Sequence, residues 1–331
     1  MATVVTFGEA MIRLAPPDFE RLEQATTLKV TVGGSELTVA AGVARLGLSA
    51  AWVSRLPRNP LGRMAQNKAR EFGVDTSHIV WTNEDRMGLY FVEYGAAPRA
   101  SSVLYDRAYS AISRIQPGEV DWKKVLEGAR WFHTSGITPA LSDSAAAVTL
   151  EALKTAKEMG CQVSYDLNYR AKLWSQDKAR AVQEPFMQYV DVLITTEEDT
   201  QRVFGIQSDD YKQVAKLLAE RFNFKVVTIT LRETPSVWRN TWSAFAYADG
   251  QFYEDVTYDI EVVDRLGAGD NYTAGFIYGY LTAGVEQAVR IGNAFSALKH
   301  TSWSDFNWAT REEVEALLKT AAKGSALRIV R

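Results

Sequence analysis

The chain has 331 residues, of which 47% are hydrophobic and 23% charged, and its net charge is −3. This composition is typical of a globular protein with a large core, and the sequence shows no basic stripe that would bind nucleic acid. A single cysteine excludes an internal disulfide framework, and no segment has transmembrane length or the order of a secretion signal, so we predict a cytoplasmic protein without membrane or nucleic-acid partners.

The N-terminal part of the chain alternates short apolar runs with helical spacing. Strands are predicted at 3–7, 11–14, 28–32, 50–54, 87–94 and 101–105, and helices at 36–46 and 59–72. Glu9 directly follows the first buried strand, so we expect its charge to face a cleft. Strands drawn from about 11–34 and 87–108 alternate between apolar and polar residues and are predicted to form a small sheet that acts as a lid.

The pair Gly33-Gly34 stands between a predicted strand and a predicted helix. Glycine allows a ligand to approach the backbone closely, but the same pair also makes an ordinary turn. The residues alone favour neither interpretation.

From about residue 125 onward, strands and helices alternate regularly. Strands are predicted at 131–134, 161–167, 190–195 and 225–231, and helices at 145–159, 178–189, 211–222 and 285–300, with a capping box at 310–313 that begins a last helix. The pattern predicts one α/β domain over 1–331, with a mostly parallel central sheet covered by helices. Ligands of such sheets bind outside the carboxyl ends of the strands, where the chain places Arg170, Glu197, Arg232 and Asp270.

Residues 263–275 carry the strongest functional signal. A predicted strand at 256–263 leads into Gly267-Ala268-Gly269, and an apolar helix follows. Unpaired backbone N–H groups at such a helix start attract anions. Asp270 is either a helix-start carboxylate stabilised by the helix dipole or a general base beside an anion site, as phosphoryl transfer requires.

Several strings resemble the ribokinase-like (PfkB) carbohydrate kinases. The string D-R-L-G-A-G-D at 264–270 is similar to the family signature, which implies that Asp270 is the catalytic base and that Gly267, Ala268 and Gly269 form the anion hole. The strings V-L-Y-D-R-A-Y-S at 103–110 and D-L-N-Y-R-A-K-L-W at 166–174 resemble the branch that phosphorylates ketodeoxy sugar acids. The resemblance extends from Thr3 to about Glu315 and implies a ribokinase-like three-layer sandwich with a β-sheet lid.

The resemblance also implies a set of substrate-binding residues, namely Gly33, Gly34, Tyr90, Tyr105, Arg107, Arg170 and Asp305. Several of them could instead have structural roles. The two tyrosines could be aromatic residues of a sheet face, and Arg107 could be an exposed charge at a sheet edge. Arg170 could pair with Asp166. Two arginines suit a carboxylate, because the guanidinium group binds it with planar, bidentate geometry. A neutral sugar would not need them.

For the nucleotide, the resemblance implies ATP and Mg²⁺ as cofactors. The residues implied near the nucleotide are Asn168, Thr230, Arg232 and Asn293. Many relatives have glycine where Arg232 and Pro235 stand, which predicts a less open nucleotide loop. Asn293 is equally compatible with a surface position on its helix.

For the metal, the resemblance implies Glu197 and Glu198, which follow Thr196 where relatives have asparagine. Acidic residues in the first turn of a capped helix explain the same sequence without a metal. A monovalent cation near Asp264 is common in the wider family, and the sequence leaves it open.

Together these observations predict an ATP-dependent kinase for the terminal hydroxyl of 2-keto-3-deoxygluconate. The alternatives are a fructokinase or ribokinase-type sugar kinase and, less favoured, a non-catalytic sugar- or nucleotide-binding regulator. A dinucleotide oxidoreductase is excluded, because Gly8-Glu9-Ala10 replaces a G-x-G-x-x-G turn. Exposed lid strands need a cover, so we expect a homo-oligomer, a dimer or larger, formed through the lid.

Overall fold

The computed structural model describes residues 1–323, apart from the side chains of Glu197, Ala322 and Lys323. The N-terminal half contains β1 (Val4–Phe7), β2 (Met11–Ala15), β3 (Lys29–Gly33), α1 (Ser35–Leu46), β4 (Ala50–Val53), β5 (Arg55–Pro57), α2 (Pro60–Glu71), β6 (Val80–Thr82), β7 (Gly88–Glu93), β8 (Ser102–Asp106), α3 (Trp122–Val125), β9 (Trp131–Ser135), α4 (Ile137–Ala140) and α5 (Asp143–Glu158). The C-terminal half contains β10 (Gln162–Asp166), α6 (Gln176–Gln183), β11 (Val192–Thr195), α7 (Glu197–Phe204), α8 (Tyr211–Phe222), β12 (Val226–Ser236), β13 (Arg239–Ala248), β14 (Gln251–Glu254), β15 (Tyr258–Glu261), α9 (Ala268–Ala283), α10 (Val285–His300) and α11 (Arg311–Lys323).

The central sheet has nine strands in the order β14-β13-β12-β11-β10-β9-β1-β4, and β15 pairs with β13. The strands from β12 to β4 run parallel, whereas β13 is antiparallel to β12, β14 and β15. In the sheet, β4 lies on one side of β1 and β9 lies on the other side. Strand order therefore reverses between β1 and β9, and ligands of open α/β sheets bind at such a crevice.

Hydrophobic cores lie on both faces of this sheet, because successive residues of a strand point to opposite sides. In β1, Val4 belongs to the core shared with α1, α9 and α10. Its neighbours Val5 and Phe7 belong to the core shared with α5 and α8. The result is the three-layer sandwich that the sequence predicts.

Local sequence sets the helix ends. Asn59 precedes α2, and its side chain accepts hydrogen bonds from the amides of Leu61 at 3.0 Å and Gly62 at 3.1 Å. At α11, Thr310 N donates to Glu313 Oε2 at 2.7 Å, and Glu313 N donates to Thr310 Oγ1 at 3.3 Å. The predicted capping box is confirmed.

The lid is a four-stranded sheet in the order β3-β2-β7-β8. Its registers place Thr31, Arg13, Tyr90 and Tyr105 in one row across the face directed toward the large sheet. The row on the opposite face consists of Val30, Leu14, Phe91 and Leu104. The small separate sheet is therefore confirmed, with a polar and aromatic inner face and an apolar outer face.

The largest difference from the predicted elements is a long hairpin. The sequence predicts a strand ending at residue 231 and then a nucleotide loop that is less open than in many relatives, but β12 continues to Ser236 and pairs with β13. The extension was missed because residues 233–236 are exposed on both faces and contain no alternation of apolar and polar residues, which hides the strand period. Two smaller corrections are a shorter strand at β15 and a 3₁₀ segment, Glu184–Tyr189, where the sequence predicts one helix over 178–189. Among residues 1–323, no helix has the length and apolarity needed to cross a membrane.

Candidate active site

Two adjoining cavities lie at the carboxyl edge of the parallel strands. The inner cavity, of about 100 Å³, is lined by residues that include Glu9, Gly34, Glu36, Tyr90, Arg107 and Asp305. The outer cleft, of about 430 Å³, is lined by residues that include Asp166, Thr196, Asp199, Thr230, Arg232 and Gly269. The residues common to both are Tyr105, Asn168, Arg170, Leu266, Gly267, and Asp270. Asp270 therefore borders a small enclosed space and a larger open one.

Residues 264–270, called the anion turn below, connect the edge of the sheet with α9. Gly267 is the N-cap of α9 with φ 80°, and a Cβ there would lie 2.3 Å from Asp305 O, so this position requires glycine. A Cβ on Gly269 would meet no atom within 4 Å. No side chain caps the helix, and its first backbone hydrogen bond runs from Asn271 N to Gly267 O at 2.9 Å. The amides of Gly269 and Asp270 are therefore available to an anion in the cleft.

Asp270 has the environment of a proton acceptor. Ser35 Oγ donates a hydrogen bond to Asp270 Oδ1, and Asn168 Nδ2 donates to Ser35 Oγ at 3.3 Å. Burial raises the pKa of Asp270, while the Ser35 bond and the charges of Arg170 and Lys299 oppose the rise. A carboxylate with a raised pKa that borders both cavities is suited to general base catalysis.

Two further carboxylates lie where the charge of Arg170 acts on them. Asp166 was considered from the sequence only as a partner of Arg170, and Asp199 was not singled out. Asp166 Oδ1 accepts from the amide of Asn168 at 3.1 Å, and Asn168 has φ 38°. Burial, together with Asp270 and Asp199, raises the pKa of Asp166 well above its ordinary value. Burial also raises the pKa of Asp199, although Arg170 opposes that rise. Their positions at the end of β10 and near the start of α7 were the available signal.

The wall of the inner cavity joins the lid to the anion turn. Asp305 accepts hydrogen bonds from Tyr90 OH at 2.8 Å and from Arg13 Nη1 at 2.6 Å. A Cβ on Gly33 would lie 2.0 Å from Tyr90 OH, and one on Gly34 would lie 2.3 Å from Glu9 O. The glycine pair is thus required by close packing, and of the two, Gly34 lines the cavity.

The two arginines expected at the substrate carboxylate have different surroundings. Arg107 is 8% exposed and forms a buried ion pair with Glu9, which also accepts from Ser110 Oγ at 2.7 Å. The interpretation of Arg107 as an exposed edge charge is therefore wrong, and its charge is already neutralised. Arg170 is half-buried, donates to Tyr169 O at 3.1 Å, and forms no ion pair with a side chain that the structure describes. Among the described residues that line the inner cavity, Arg170 is the basic side chain without an ion pair.

A third cavity, of about 780 Å³, lies between β8 and the loop that follows β10. Tyr105, Arg107 and Arg170 line it as well as the inner cavity. The Lys172 ammonium lies 5.9 Å from the centre of the Tyr105 ring, and the Arg107 guanidinium carbon lies 5.3 Å from it. This cavity forms a basic approach to the inner one.

On the nucleotide side, the expected loop is a strand. Thr230 and Arg232 project from β12 into the outer cleft, and their backbones pair with Ala244 and Trp242 of β13. Asn240 Oδ1 and Trp242 Nε1 are buried beside the cleft, and neither has a hydrogen-bond partner among residues 1–323. Both are candidates for ligand contacts that the sequence analysis missed, and the alternating pattern of β13 was the available signal.

Asn293 does not lie at the protein surface. It is fully buried in α10, and its Nδ2 donates to Asp255 Oδ2 and to Val256 O, both at 2.8 Å. It lines neither cavity. The alternative of a surface position is therefore wrong, and the nucleotide contact stays a prediction. The two hydrogen bonds fix the connection between β14 and β15.

The acidic start of α7 is a capped helix end. Thr196 Oγ1 accepts from Asp199 N at 3.2 Å, and Glu198 is an exposed partner of Arg202 at 3.2 Å on the rim of the outer cleft. The side chain of Glu197 lies outside the described part of the structure. Within the described residues, no cluster of three or more His, Cys, Asp or Glu side chains is placed to hold a metal. A metal here would need ligands from a bound nucleotide and water.

The sequence does not decide whether a monovalent cation binds near Asp264. In the structure, two positive side chains contact this residue. Its carboxylate accepts from Arg13 Nη2 at 2.6 Å and from Tyr94 OH at 2.9 Å. Its backbone oxygen accepts from Lys299 Nζ at 2.7 Å. Arg13 and Lys299 were not singled out from the sequence, because they come from a lid strand and a distant helix.

Comparisons with known proteins agree with this geometry. The sequence profile of the pfkB family carbohydrate kinases matches residues 1–307. The crystal structure of 2-dehydro-3-deoxygluconokinase from Thermotoga maritima has a TM-score of 0.93 and 46% sequence identity, and the match covers 96% of this chain and 98% of that one. The 2-dehydro-3-deoxygalactonokinase of Haloferax volcanii is 41% identical over 98% of both chains. The 5-dehydro-2-deoxygluconokinase of Shouchella clausii is 30% identical over 96% of this chain and 95% of its own.

Proposed function

Because this chain belongs to the pfkB family of carbohydrate kinases and is a phosphotransferase with an alcohol group as acceptor, we propose that it phosphorylates the terminal hydroxyl of 2-keto-3-deoxygluconate or its galactonate epimer with ATP. One observation carries the proposal: Asp270 directly follows the uncapped start of α9 and borders both cavities. The inner cavity would hold the sugar acid and the outer cleft the nucleotide. The names of the Thermotoga maritima and Haloferax volcanii relatives support this substrate class.

In the proposed reaction, the terminal hydroxyl oxygen attacks the γ-phosphorus and the bond to the ADP oxygen breaks. The hydroxyl proton passes to Asp270, whose raised pKa fits this role. The amides of Gly269 and Asp270 stabilise the charge of the transferred phosphoryl group. Ser35 orients the carboxylate through its hydrogen bond.

The described residues suit Mg²⁺ that arrives with the nucleotide. Magnesium prefers oxygen ligands, keeps several waters, and commonly binds phosphates with one or two carboxylates. Burial and neighbouring carboxylates raise the pKa values of Asp166 and Asp199, and a divalent cation bound beside them would favour their charged forms. We assign these two side chains to the metal, with a much weaker contribution from Glu198, which is exposed at the rim and paired with Arg202. When bound, Mg²⁺ would neutralise phosphate charge.

The preference for an acid over a neutral sugar rests chiefly on Arg170. Arg107 is already paired with Glu9, and its removal would leave a buried carboxylate without a partner, which typically costs about 3–5 kcal/mol of stability. Arg170 makes no such pair with a described side chain. A substrate carboxylate at Arg170 would gain a charge-assisted hydrogen bond worth about 1.5–3 kcal/mol.

The test compares two substrates on matched variants. We expect Arg170→Leu to lower kcat/KM for 2-keto-3-deoxygluconate by roughly 10- to 150-fold more than kcat/KM for fructose. A smaller loss common to both substrates is expected, because Arg170 also opposes the rise in the pKa of Asp270. Arg86→Leu is the control, because Arg86 forms an exposed ion pair with Asp106 at the end of the lid. One alternative to a sugar-acid kinase is a ketose kinase. The Arg107–Glu9 ion pair favours it, because Arg107 is already neutralised and a neutral sugar needs no free arginine. Equal losses on both substrates, or a wild-type preference for fructose, would support that alternative.

We also propose a homodimer that joins two lids. On the outer lid face, Val30 is 50% exposed and Leu104 is 59% exposed, in one row with Leu14 and Phe91. A second copy of the same face would cover this apolar row. Light scattering should give twice the chain mass for the wild type and the monomer mass for Val30→Glu/Leu104→Glu; a monomeric wild type would contradict the proposal.

A further inference from the structure

Lys299, next to the last residue of α10, is a fully buried charged side chain beneath the anion turn. Its exposure is 0%, and its Nζ donates to the backbone oxygen of Asp264 at 2.7 Å. The next residue strengthens this contact, since His300 O accepts from the amides of Val263 at 2.8 Å and Asp264 at 3.2 Å. Lys299 is thus fixed to the first residue of the anion turn.

Burial of an ammonium group is unfavourable unless other groups compensate its charge. The described hydrogen bond of Lys299 goes to a carbonyl, and Asp264, Asp305 and Asp270 favour its charge from nearby. Burial and Arg13 oppose the charge, and together they lower the pKa of Lys299 to about 8. The adjacent imidazole of His300 is neutral at pH 7, because burial lowers its pKa to about 4.

The two carboxylates that most favour the charge of Lys299 share one other cation. Arg13 forms ion pairs of 2.6 Å with both Asp264 and Asp305. One guanidinium carries a single positive charge, so Arg13 leaves one of the two negative charges uncompensated, and Lys299 supplies the second positive charge of this cluster. The effect of the lysine extends to the site. It acts on Asp270, because it helps to hold the pKa of that carboxyl down against burial.

We propose that Lys299 is a positioning residue that supplies a fixed cation beneath the anion turn, so that phosphoryl transfer needs no small monovalent cation from solvent. The inference rests on the proposed function only in taking the anion turn as the phosphoryl site. The ammonium holds the Asp264 carbonyl, which orients the turn, and it makes the potential more positive where negative charge develops.

Two substitutions separate charge from packing. Lys299→Met keeps most of the volume and removes the charge, whereas Lys299→Ala removes the charge and leaves space for a small cation. The control is Lys157→Ala, because Lys157 forms a 2.8 Å ion pair with Asp191 at the opposite edge of the sheet. Each protein is assayed with its best sugar, ATP and Mg²⁺ in tetramethylammonium buffer, with and without K⁺, ammonium or ethylammonium.

We expect wild-type kcat to be the same with and without the small cations. Both Lys299 variants should lose about 10- to 100-fold in kcat, with a smaller change in the KM for sugar. Small cations should restore much of the activity of Lys299→Ala and none of that of Lys299→Met. In Lys299→Met the acid limb of the kcat–pH profile should move to higher pH, because removal of the cation raises the pKa of Asp270.

A packing role would give the opposite pattern: Lys299→Met would keep its kcat, and only its melting temperature would fall. That result, or K⁺ activation of the wild type, would overturn the proposal. If Lys299→Ala does not fold, the kcat and pH profile of Lys299→Met decide alone. Failure of the proposed function would look different from failure of this proposal. If the proposed function is wrong, the wild type prefers a different sugar. The role of Lys299 is judged instead from the ratio of variant kcat to wild-type kcat on one sugar.

Discussion

Two helix starts open into the outer cleft, and they are built differently. At α7, Thr196 caps the helix by accepting from Asp199 N at 3.2 Å. At α9, the N-cap is Gly267, no side chain caps the helix, and the space beside Gly269 is empty. Both starts carry acidic residues in the first turn, so their sequences look alike in charge.

The difference shows which helix start can bind a ligand. A capped start has given one of its free amides to its own side chain, whereas an uncapped start keeps them for an anion. The uncapped start must be held from below, here by Asn271 Nδ2, which donates to Gly267 O at 2.7 Å and to Asp305 O at 2.9 Å. We therefore assign chemistry to α9 and a structural and metal-related role to α7.

The largest effect is expected at the first turn of α9. Asp270→Asn should lower kcat by about 10²–10⁴-fold, because it removes the proton acceptor while keeping the size of the side chain. The wild-type kcat should fall on the acid side at a pH above the ordinary pKa of 3.8, since burial raises the pKa of Asp270 and the base must be deprotonated. Coupled ADP assays from pH 4 to 9 check both points, and a variant with wild-type kcat would remove Asp270 from this role.

The two glycines of the anion turn should separate stability from catalysis. Gly269→Ala should keep its melting temperature and lose about 10²-fold in kcat, because its Cβ points into open space where the phosphate would lie. Gly267→Ala should instead lose about 1–3 kcal/mol of stability, because φ is 80° and Asp305 O lies in the way. Calorimetry and kcat on both variants make the comparison, and equal behaviour would contradict it.

The metal assignment predicts that substitutions of Asp166 and Glu198 change the Mg²⁺ requirement to different extents. Asp166→Asn should raise the Mg²⁺ concentration for half-maximal rate by about 10-fold, because Asp166 lies among carboxylates at the base of the cleft. Glu198→Gln should change it less than about 2-fold, since its side chain is exposed and paired with Arg202. A Mg²⁺ titration with larger dependence on Glu198 would reverse the assignment.

The smallest effect is expected at the cap of α7. Thr196→Ala should cost about 1 kcal/mol of stability, the usual value for a lost N-cap, and leave kcat within about 2-fold. Denaturant unfolding and the standard assay check this. A large loss of kcat with unchanged stability would mean that Thr196 contacts the nucleotide or the metal, and that the two helix starts are less different than proposed.

The sequence was sufficient where a local pattern determines the structure. The β/α alternation, the two lid segments, the glycine turn before α9 and the capping box at Thr310 each depend on a few neighbouring residues, and the structure confirms them. The position of Glu9 after a buried strand also predicted that it faces a cleft.

The sequence was insufficient where distant segments meet. Arg107 pairs with Glu9 across 98 positions, and Lys299 reaches Asp264 across 35, so no local pattern reveals either contact. Asn293 has several possible partners on its helix face, and only the folded chain selects Asp255. The exposed part of β12 lacks the apolar alternation that identifies a strand.

The most direct test of the central claim is a substrate panel on the wild-type protein. 2-Keto-3-deoxygluconate, 2-keto-3-deoxygalactonate, fructose and ribose would each be assayed with ATP and Mg²⁺, and phosphorus NMR would locate the phosphate on the product. The account predicts that kcat/KM for at least one sugar acid exceeds that for both neutral sugars by about 10²-fold or more, as about 3 kcal/mol of charge recognition would give, with the phosphate on the terminal oxygen. A preference for fructose or ribose would contradict it.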